Sequence, residues 1–164
     1  MSVGIARDLV GMYEISELNM SDSKKTKVFT IKTQTGEFIG GIYQQNRLYD
    51  WLKNQGIDYS KYNSKKWMPD EAFINERNKT LYIVEKKFQA TSGSVDEKVF
   101  GFPNKRRFYQ RMVNELDFHV EFIFLGNSDY WDTPRMRDYI IAMREDGVRV
   151  MFDKYEYEWL GLYW

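Results

Sequence analysis

Residues 67–74 read WMPDEAFI and residues 80–89 read TLYIVEKKFQ, with the polar stretch NERNK between them at 75–79. Two runs rich in aromatic and β-branched residues around a five-residue turn predict a pair of antiparallel strands. The second run alternates cleanly. Leu81, Ile83, Glu85, Lys87 and Gln89 share one face, and Tyr82, Val84, Lys86 and Phe88 share the other. The first of these faces is apolar as far as Ile83 and ionic beyond it, so the strand leads from a core to a charged end.

Downstream, Ser94 and Glu97 match a capping box that opens a helix at Val95. Gly101-Phe102-Pro103 bends it, and Pro103 starts a second segment that runs to about Glu115. Val120–Leu125, ended by Gly126, is an unbroken apolar run suited to a strand buried on both faces. Thr133-Pro134 opens another helix, with Met136, Tyr139, Ile140 and Met143 at i, i+3, i+4, i+7 and a stop at Gly147. Val148–Phe152 reads as a last strand, and the tail YEYEWLGLYW is too aromatic to be a solvated end.

Upstream, Ile42–Asn54 reads as a helix stopped by Gly56, and KYNSKK (61–66) as a basic connector. Val28–Thr33 and Glu37–Ile39 form a hairpin around Gln34-Thr35-Gly36. MSDSKKTK (20–27) is a polar loop. Ile5, Leu9, Met12 and Tyr13 predict a short first helix. The order predicts an α/β (α+β) domain with a central mixed β-sheet flanked by helices.

The chain has 164 residues, 43% of them hydrophobic, which suits a single domain with a full core. No stretch reaches the length of a membrane span, and MSVGIARDLVG lacks the apolar core of a secretory signal, so no membrane partner is expected. Cysteine is absent and histidine occurs once, at His119, which excludes disulfides, thiolate chemistry and multi-histidine metal sites. These features fit a cytoplasmic setting. Acids and bases balance at 24 each, so a nucleic-acid partner must be met by a local basic patch rather than by net charge.

If the strands of 67–74 and 80–88 pair, Asp70 and Glu85 meet across the pleat. Two carboxylates are enough to hold Mg²⁺, with Mn²⁺ as a substitute, and leave other positions for water and phosphate. Lys87 projects beside them and can orient an attacking water. Lys86 faces away, although its backbone carbonyl can reach the cation. Chemistry of this kind serves phosphodiester hydrolysis. A register slip by one residue would put Glu71 in the place of Asp70. The plain alternative is a surface hairpin with a cross-strand ion pair.

The spacing resembles the PD-(D/E)xK nuclease superfamily, with its restriction endonucleases, resolvases and repair nucleases. Pro69-Asp70 matches the PD element, Glu85-Lys86-Lys87 matches the ExK element, and VEKKFQATSGSVDEK and FIFLGNSDYW look like small restriction-type members. The resemblance implies a restriction-endonuclease-like core at 42–152, preceded by an N-terminal extension (1–41) and followed by the aromatic tail (153–164). It implies Gln89 as a further active-site residue and an additional acidic residue on the helix before the PD strand, for which Asp50, then Glu37, are the candidates. It also implies a Mg²⁺-dependent endonuclease acting on double-stranded DNA and leaving 5′-phosphates. So small a chain cutting both strands calls for a homodimer. A Holliday-junction resolvase, a homing or repair nuclease, and a catalytically silent nucleic-acid-binding module are the alternatives.

Lys98, Lys105, Arg106, Arg107 and Arg111, with Phe108 and Tyr109 among them, are candidates for phosphate contacts, as is Ser94 at its helix start. A solvated helix face is the competing reading. Gln44, Gln45, Asn46 and Arg47 can read base edges or form an exposed helix face. His119 is expected to be structural. Asp129, Trp131 and Asp132 are placed in a loop, with Asp132 at a helix start.

Overall fold

Alternating strands bury one face each, and here both faces of a single sheet are covered. The structure is a computed structural model that describes residues 4–91 and 95–163. Its seven strands are β1 (Glu14–Glu17), β2 (Val28–Lys32), β3 (Phe38–Gln44), β4 (Glu71–Asn75), β5 (Thr80–Lys87), β6 (His119–Gly126) and β7 (Val148–Phe152). They lie in the sheet in chain order, antiparallel from β1 to β5 and parallel from β5 to β7. The mixed α/β architecture expected from the sequence is therefore present.

Helices α1 (Ile5–Leu9), α2 (Arg47–Asn54), α3 (Val95–Lys98), α4 (Phe102–Val113), α5 (Ser128–Trp131) and α6 (Arg137–Glu145) complete the fold. Leu48 and Leu52 of α2, Tyr109 and Met112 of α4, and Ile140 and Met143 of α6 pack on Leu81, Ile83, Phe122 and Val150 of the sheet. The opposite face, with Phe73, Tyr82, Val84, Ile123 and Met151, is closed by Ile5 and Leu9 of α1 and by Tyr155, Leu160 and Leu162 of the tail. The tail packs on the sheet through Tyr155, Leu160 and Leu162, the two leucines at most 2% exposed, while Trp159 and Tyr163 remain exposed.

Three expectations are corrected. Ile42 lies in β3, paired with Phe29 and Phe73, and the helix begins only at Arg47. The reason is close packing: a Cβ on Gly40 would sit 1.8 Å from the Ile74 carbonyl oxygen, so the glycine pair builds a strand that no helix-period reading can detect. Since β3 runs through residue 42, the expected break between an extension and a core is absent, and β1 to β3 belong to the same sheet. The loop expected around Trp131 is the short helix α5, with Trp131 fully buried and Asp132 at its C-terminal end. The helix start sits instead at Thr133, before a 3-10 turn over Pro134–Met136 that leads into α6. β1 was invisible in the sequence, since EISE shows mostly polar residues at a sheet edge.

No helix among the described residues is long and apolar enough to cross a membrane.

Candidate active site

Strand β4 begins at Glu71, whose register partner on β5 is Val84. Asp70 therefore stands at the rim of the sheet, one step from Glu85. The amide of Lys86 donates to Asp70 Oδ2 at 2.7 Å, which extends the β4–β5 pairing past its last ladder pair. Glu85 continues the face of Leu81 and Ile83, under α4, and is only 6% exposed. Asp70 and Glu85 come close enough for the charge of one to act on the other.

The electrostatics follow from that placement. Burial disfavours the charged Glu85, and the nearby Asp70 carboxylate disfavours it further. Together they push its pKa up to about 7, against the pull of Lys105 and Lys87. Both lysines thus act on the same carboxyl group, Lys87 from two residues along β5 and Lys105 from α4 overhead. Lys105 lies over the rings of Trp67 and Phe102, at 5.5 and 5.6 Å from their centres.

The backbone that carries Lys87 is braced from α5. The Trp131 indole N–H donates to the Lys87 carbonyl at 2.8 Å. Asn127 and Gln89 exchange two bonds, each 2.7 Å long, between side-chain amide and backbone. Gly126 pairs with Lys87 in register, and a Cβ there would meet Trp131 at 2.5 Å. The glycine is what lets the indole reach the strand.

Glu71 is excluded as a substitute for Asp70. It lies on the opposite face, 4% exposed, with Lys86 Nζ at 2.7 Å. Its two oxygens also accept from the Ile5 amide at 3.2 Å and the Tyr155 hydroxyl at 2.6 Å. The Lys86 side chain faces away from the site, as its parity requires.

The remaining candidates divide. Gln89 lies past the end of β5, and its side-chain amide donates to the Thr91 carbonyl at 3.2 Å, not to the carboxylates. Asp50 is not an active-site acid: it pairs with Arg47 at 3.1 Å. Arg47 is fully buried and also held by Asp22 at 2.6 Å, so it is not a solvated base reader. Glu37 is also excluded. It precedes β3 at the end of the sheet remote from Asp70, about 20 Å away along the strand, and lies 3.9 Å from Arg77. Both fail because a helix or hairpin read from sequence does not fix which way its acids turn.

Of the basic set, Lys105 reaches the site. Lys98 and Arg107 are exposed, and exposed Arg111 lies over Phe108. Arg106 is structural, donating to the Val120 carbonyl at 3.0 Å beyond the reach of β7. Ser94 lies outside the described residues. His119 is exposed at the start of β6 and pairs with Glu121 at 2.9 Å.

One residue was missed. Tyr109 is 1% exposed, and its hydroxyl has no hydrogen-bond partner among the described residues. Burial above all, with Tyr49, Glu85 and Asp70 close by, drives its pKa far up, so the hydroxyl stays protonated beside two carboxyls. Its position four residues after Lys105 puts both on one face of α4. The interleaving of Tyr109 with basic residues suggests a nucleic-acid surface, whereas the ring is buried.

Among the described residues no group of three or more His, Cys, Asp or Glu side chains comes together as a metal site. Two carboxylates do come together. A hard divalent cation needs few protein oxygens, accepts waters for the rest, and relieves the mutual repulsion of Asp70 and Glu85. The orphaned Tyr109 hydroxyl, which needs a partner in the same space, fits a site completed by a hydrated cation.

The chain matches no protein-family model, no curated protein and no solved structure. Fold and site therefore stand on their own geometry: an α/β protein with a buried Glu85 facing a half-buried Asp70 at a sheet rim, and two lysines beside them.

Proposed function

We propose that this protein is a Mg²⁺-dependent nuclease that hydrolyses phosphodiester bonds of double-stranded DNA, in the manner of a small restriction-type PD-(D/E)xK enzyme. The observation that carries the proposal is the approach of Asp70 to Glu85 at the ends of two paired strands, with Lys87 on the face of Glu85. A purely structural hairpin has no use for a carboxyl pair held in repulsion, and such perturbed pairs concentrate at functional sites.

Asp70, Glu85 and the Lys86 carbonyl would hold the cation. When bound, Mg²⁺ supplies positive charge to the phosphate and to the leaving oxygen. Lys87 orients the attacking water in line with the bond to be broken and helps offset the phosphate charge. Lys105 adds a second positive charge from α4. The Tyr109 hydroxyl, which has no protein partner among the described residues, would hydrogen-bond a water of the bound cation. Exposed Lys98, Arg107 and Arg111 give the outer contacts to the backbone of the duplex. Cleavage of both strands calls for a homodimer, one site per strand.

The test is cleavage of plasmid and four-way-junction DNA with Mg²⁺, by wild type and by Lys87→Ala. Cutting of the plasmid that is lost in the variant, with its fold intact, is the expected result. Cutting of the junction alone would replace the restriction-type reading with a resolvase. Equal cutting by the variant would reject Lys87 as the water-orienting group.

A further inference from the structure

Beside Asp70, on the side of the sheet covered by α1, lies a cavity of about 510 Å³ lined mostly by residues that the hydrolytic step does not use. Its walls include Arg7 of α1, Thr26 and Phe29 at the start of β2, and Gln44 and Gln45 at the end of β3, with Asp70, Glu71 and Lys86 along one side. Asp70 is thus common to the carboxylate pair and to this cavity. A molecule lying in the cavity is within reach of the reacting centre. The volume is that of a small-ligand site, and the lining mixes an aromatic wall, amides, a hydroxyl and a guanidinium.

The rim of the cavity is built rather than loose. Gln44 Oε1 accepts from the Lys27 backbone N–H at 2.9 Å, and the Gln44 backbone N–H donates to the Lys27 carbonyl at 3.1 Å. The Thr26 hydroxyl bonds Asn46 at 2.8 Å, and the Thr26 carbonyl accepts from Arg47 Nε at 3.0 Å. Arg47 is buried and clamped by Asp22 and Asp50. A buried guanidinium needs its charge paired, and Arg47, held by the part-exposed Asp22 and Asp50, fixes the two segments that carry Thr26 and Gln44. With its oxygen already engaged, the Gln44 side chain is held in one orientation. Its amide nitrogen is left as a fixed donor, with no partner among the described residues.

We propose that this cavity receives one unstacked nucleotide of the substrate strand, adjoining the phosphate cut at Asp70 and Glu85, with the Gln44 amide N–H donating to an acceptor atom of its base. The inference rests on the nuclease reading for the position of the cut. A fixed donor discriminates bases that present a ring nitrogen or carbonyl oxygen at that point. Phe29 supplies an apolar wall for the base plane. Arg7, on the wall of the cavity, brings a positive charge suited to charge-assisted bonding with a nucleotide phosphate.

The experiment uses the full chain and a DNA pool of randomised sequence, cut in the presence of Mg²⁺, with the ends sequenced. Gln44→Glu keeps the acceptor for Lys27 and removes the donor. Gln44→Leu removes both. The expected result is a base preference at one position next to the cut in wild type, weakened roughly ten- to hundredfold in both variants. General charge repulsion in Gln44→Glu lowers all cutting but leaves the preference. In parallel, 2-aminopurine is placed in turn at each position flanking the cut, with Ca²⁺ in place of Mg²⁺, and its fluorescence should rise at that one position on binding.

If wild type cuts but the preference survives both variants, or 2-aminopurine stays quenched throughout, the cavity assignment is overturned and the nuclease reading stands. If wild type never cuts, yet 2-aminopurine in the same pool brightens on binding and Gln44→Leu abolishes the effect, the nuclease reading fails while nucleotide capture is upheld. Neither cutting nor brightening overturns both.

Discussion

Replacing Glu85 by glutamine should stabilise the metal-free protein at alkaline pH while abolishing its chemistry. The carboxyl of Glu85 moves from an ordinary 4.5 to about 7 on folding, through burial and then the charge of Asp70. Between these values the folded chain binds more protons than the unfolded one. The stabilising contribution is therefore complete below pH 4.5 and is lost as the pH rises through 7. The shift corresponds to about 3 kcal/mol at pH 8 and less than about 1 kcal/mol at pH 5. A glutamine does not titrate, and its amide N–H can still donate to Asp70. At about 2–4 °C per kcal/mol for a chain of this size, Glu85→Gln should melt roughly 6–12 °C above wild type at pH 8 in EDTA, and only a few degrees above it at pH 5. Adding Mg²⁺ at pH 8 should close the gap by raising wild type alone. A difference that does not change with pH, or a variant less stable than wild type at pH 8, would refute the buried-pair argument.

Lys87→Ala should reduce the rate of DNA cleavage by about a hundredfold or more, with an unchanged far-ultraviolet circular dichroism spectrum. Tyr109→Phe removes a buried hydroxyl without a partner, so the fold should be unharmed or slightly more stable. A Mg²⁺ titration followed by cleavage should nonetheless show weaker metal dependence, by about tenfold for the loss of one bond. Glu71→Gln, on the far face, should cost about 2–4 kcal/mol in urea denaturation, because it breaks the pair with Lys86 in a largely buried setting. Trp131→Phe should lower the cleavage rate with little change in Mg²⁺ affinity, since it releases the carbonyl of Lys87 and leaves Asp70 and Glu85 in place.

How far the sequence could be read depended on the kind of signal. The alternation of Leu81, Ile83, Glu85 and Lys87 states which side chains share a face, and the structure keeps that parity. The hairpin around 75–79 was visible from its turn residues, so the meeting of Asp70 with Glu85 could be expected. Residues whose roles depend on distant packing could not. Tyr109 looks like one aromatic among five basic residues until α4 is laid on β5. Gly40 lies where β3 passes close to Ile74 of β4, and Gly41 where a Cβ would meet Tyr43 and the Phe29 carbonyl of β2, contacts that no local pattern reports. Asp50 has the right residue type on the right helix, but nothing local shows that a fully buried Arg47 claims it. Asn127 and Trp131 brace Lys87 and Gln89 across some forty residues of chain, a range no periodicity reports.

Each strand lies next to its predecessor: β2–β3 and β4–β5 can be laid down as short hairpins, β3–β4 is joined by a longer loop that carries α2, and the two parallel joins need crossovers. The first of them, from β5 through residues 88–118 to β6, is also the one that lowers α4 onto the carboxyl pair. Loop closure makes that join slow relative to the hairpins before it. A refolding chain should therefore gain its strand signal well before it gains metal response. Stopped-flow traces should separate the two in time, with the cutting activity arriving last.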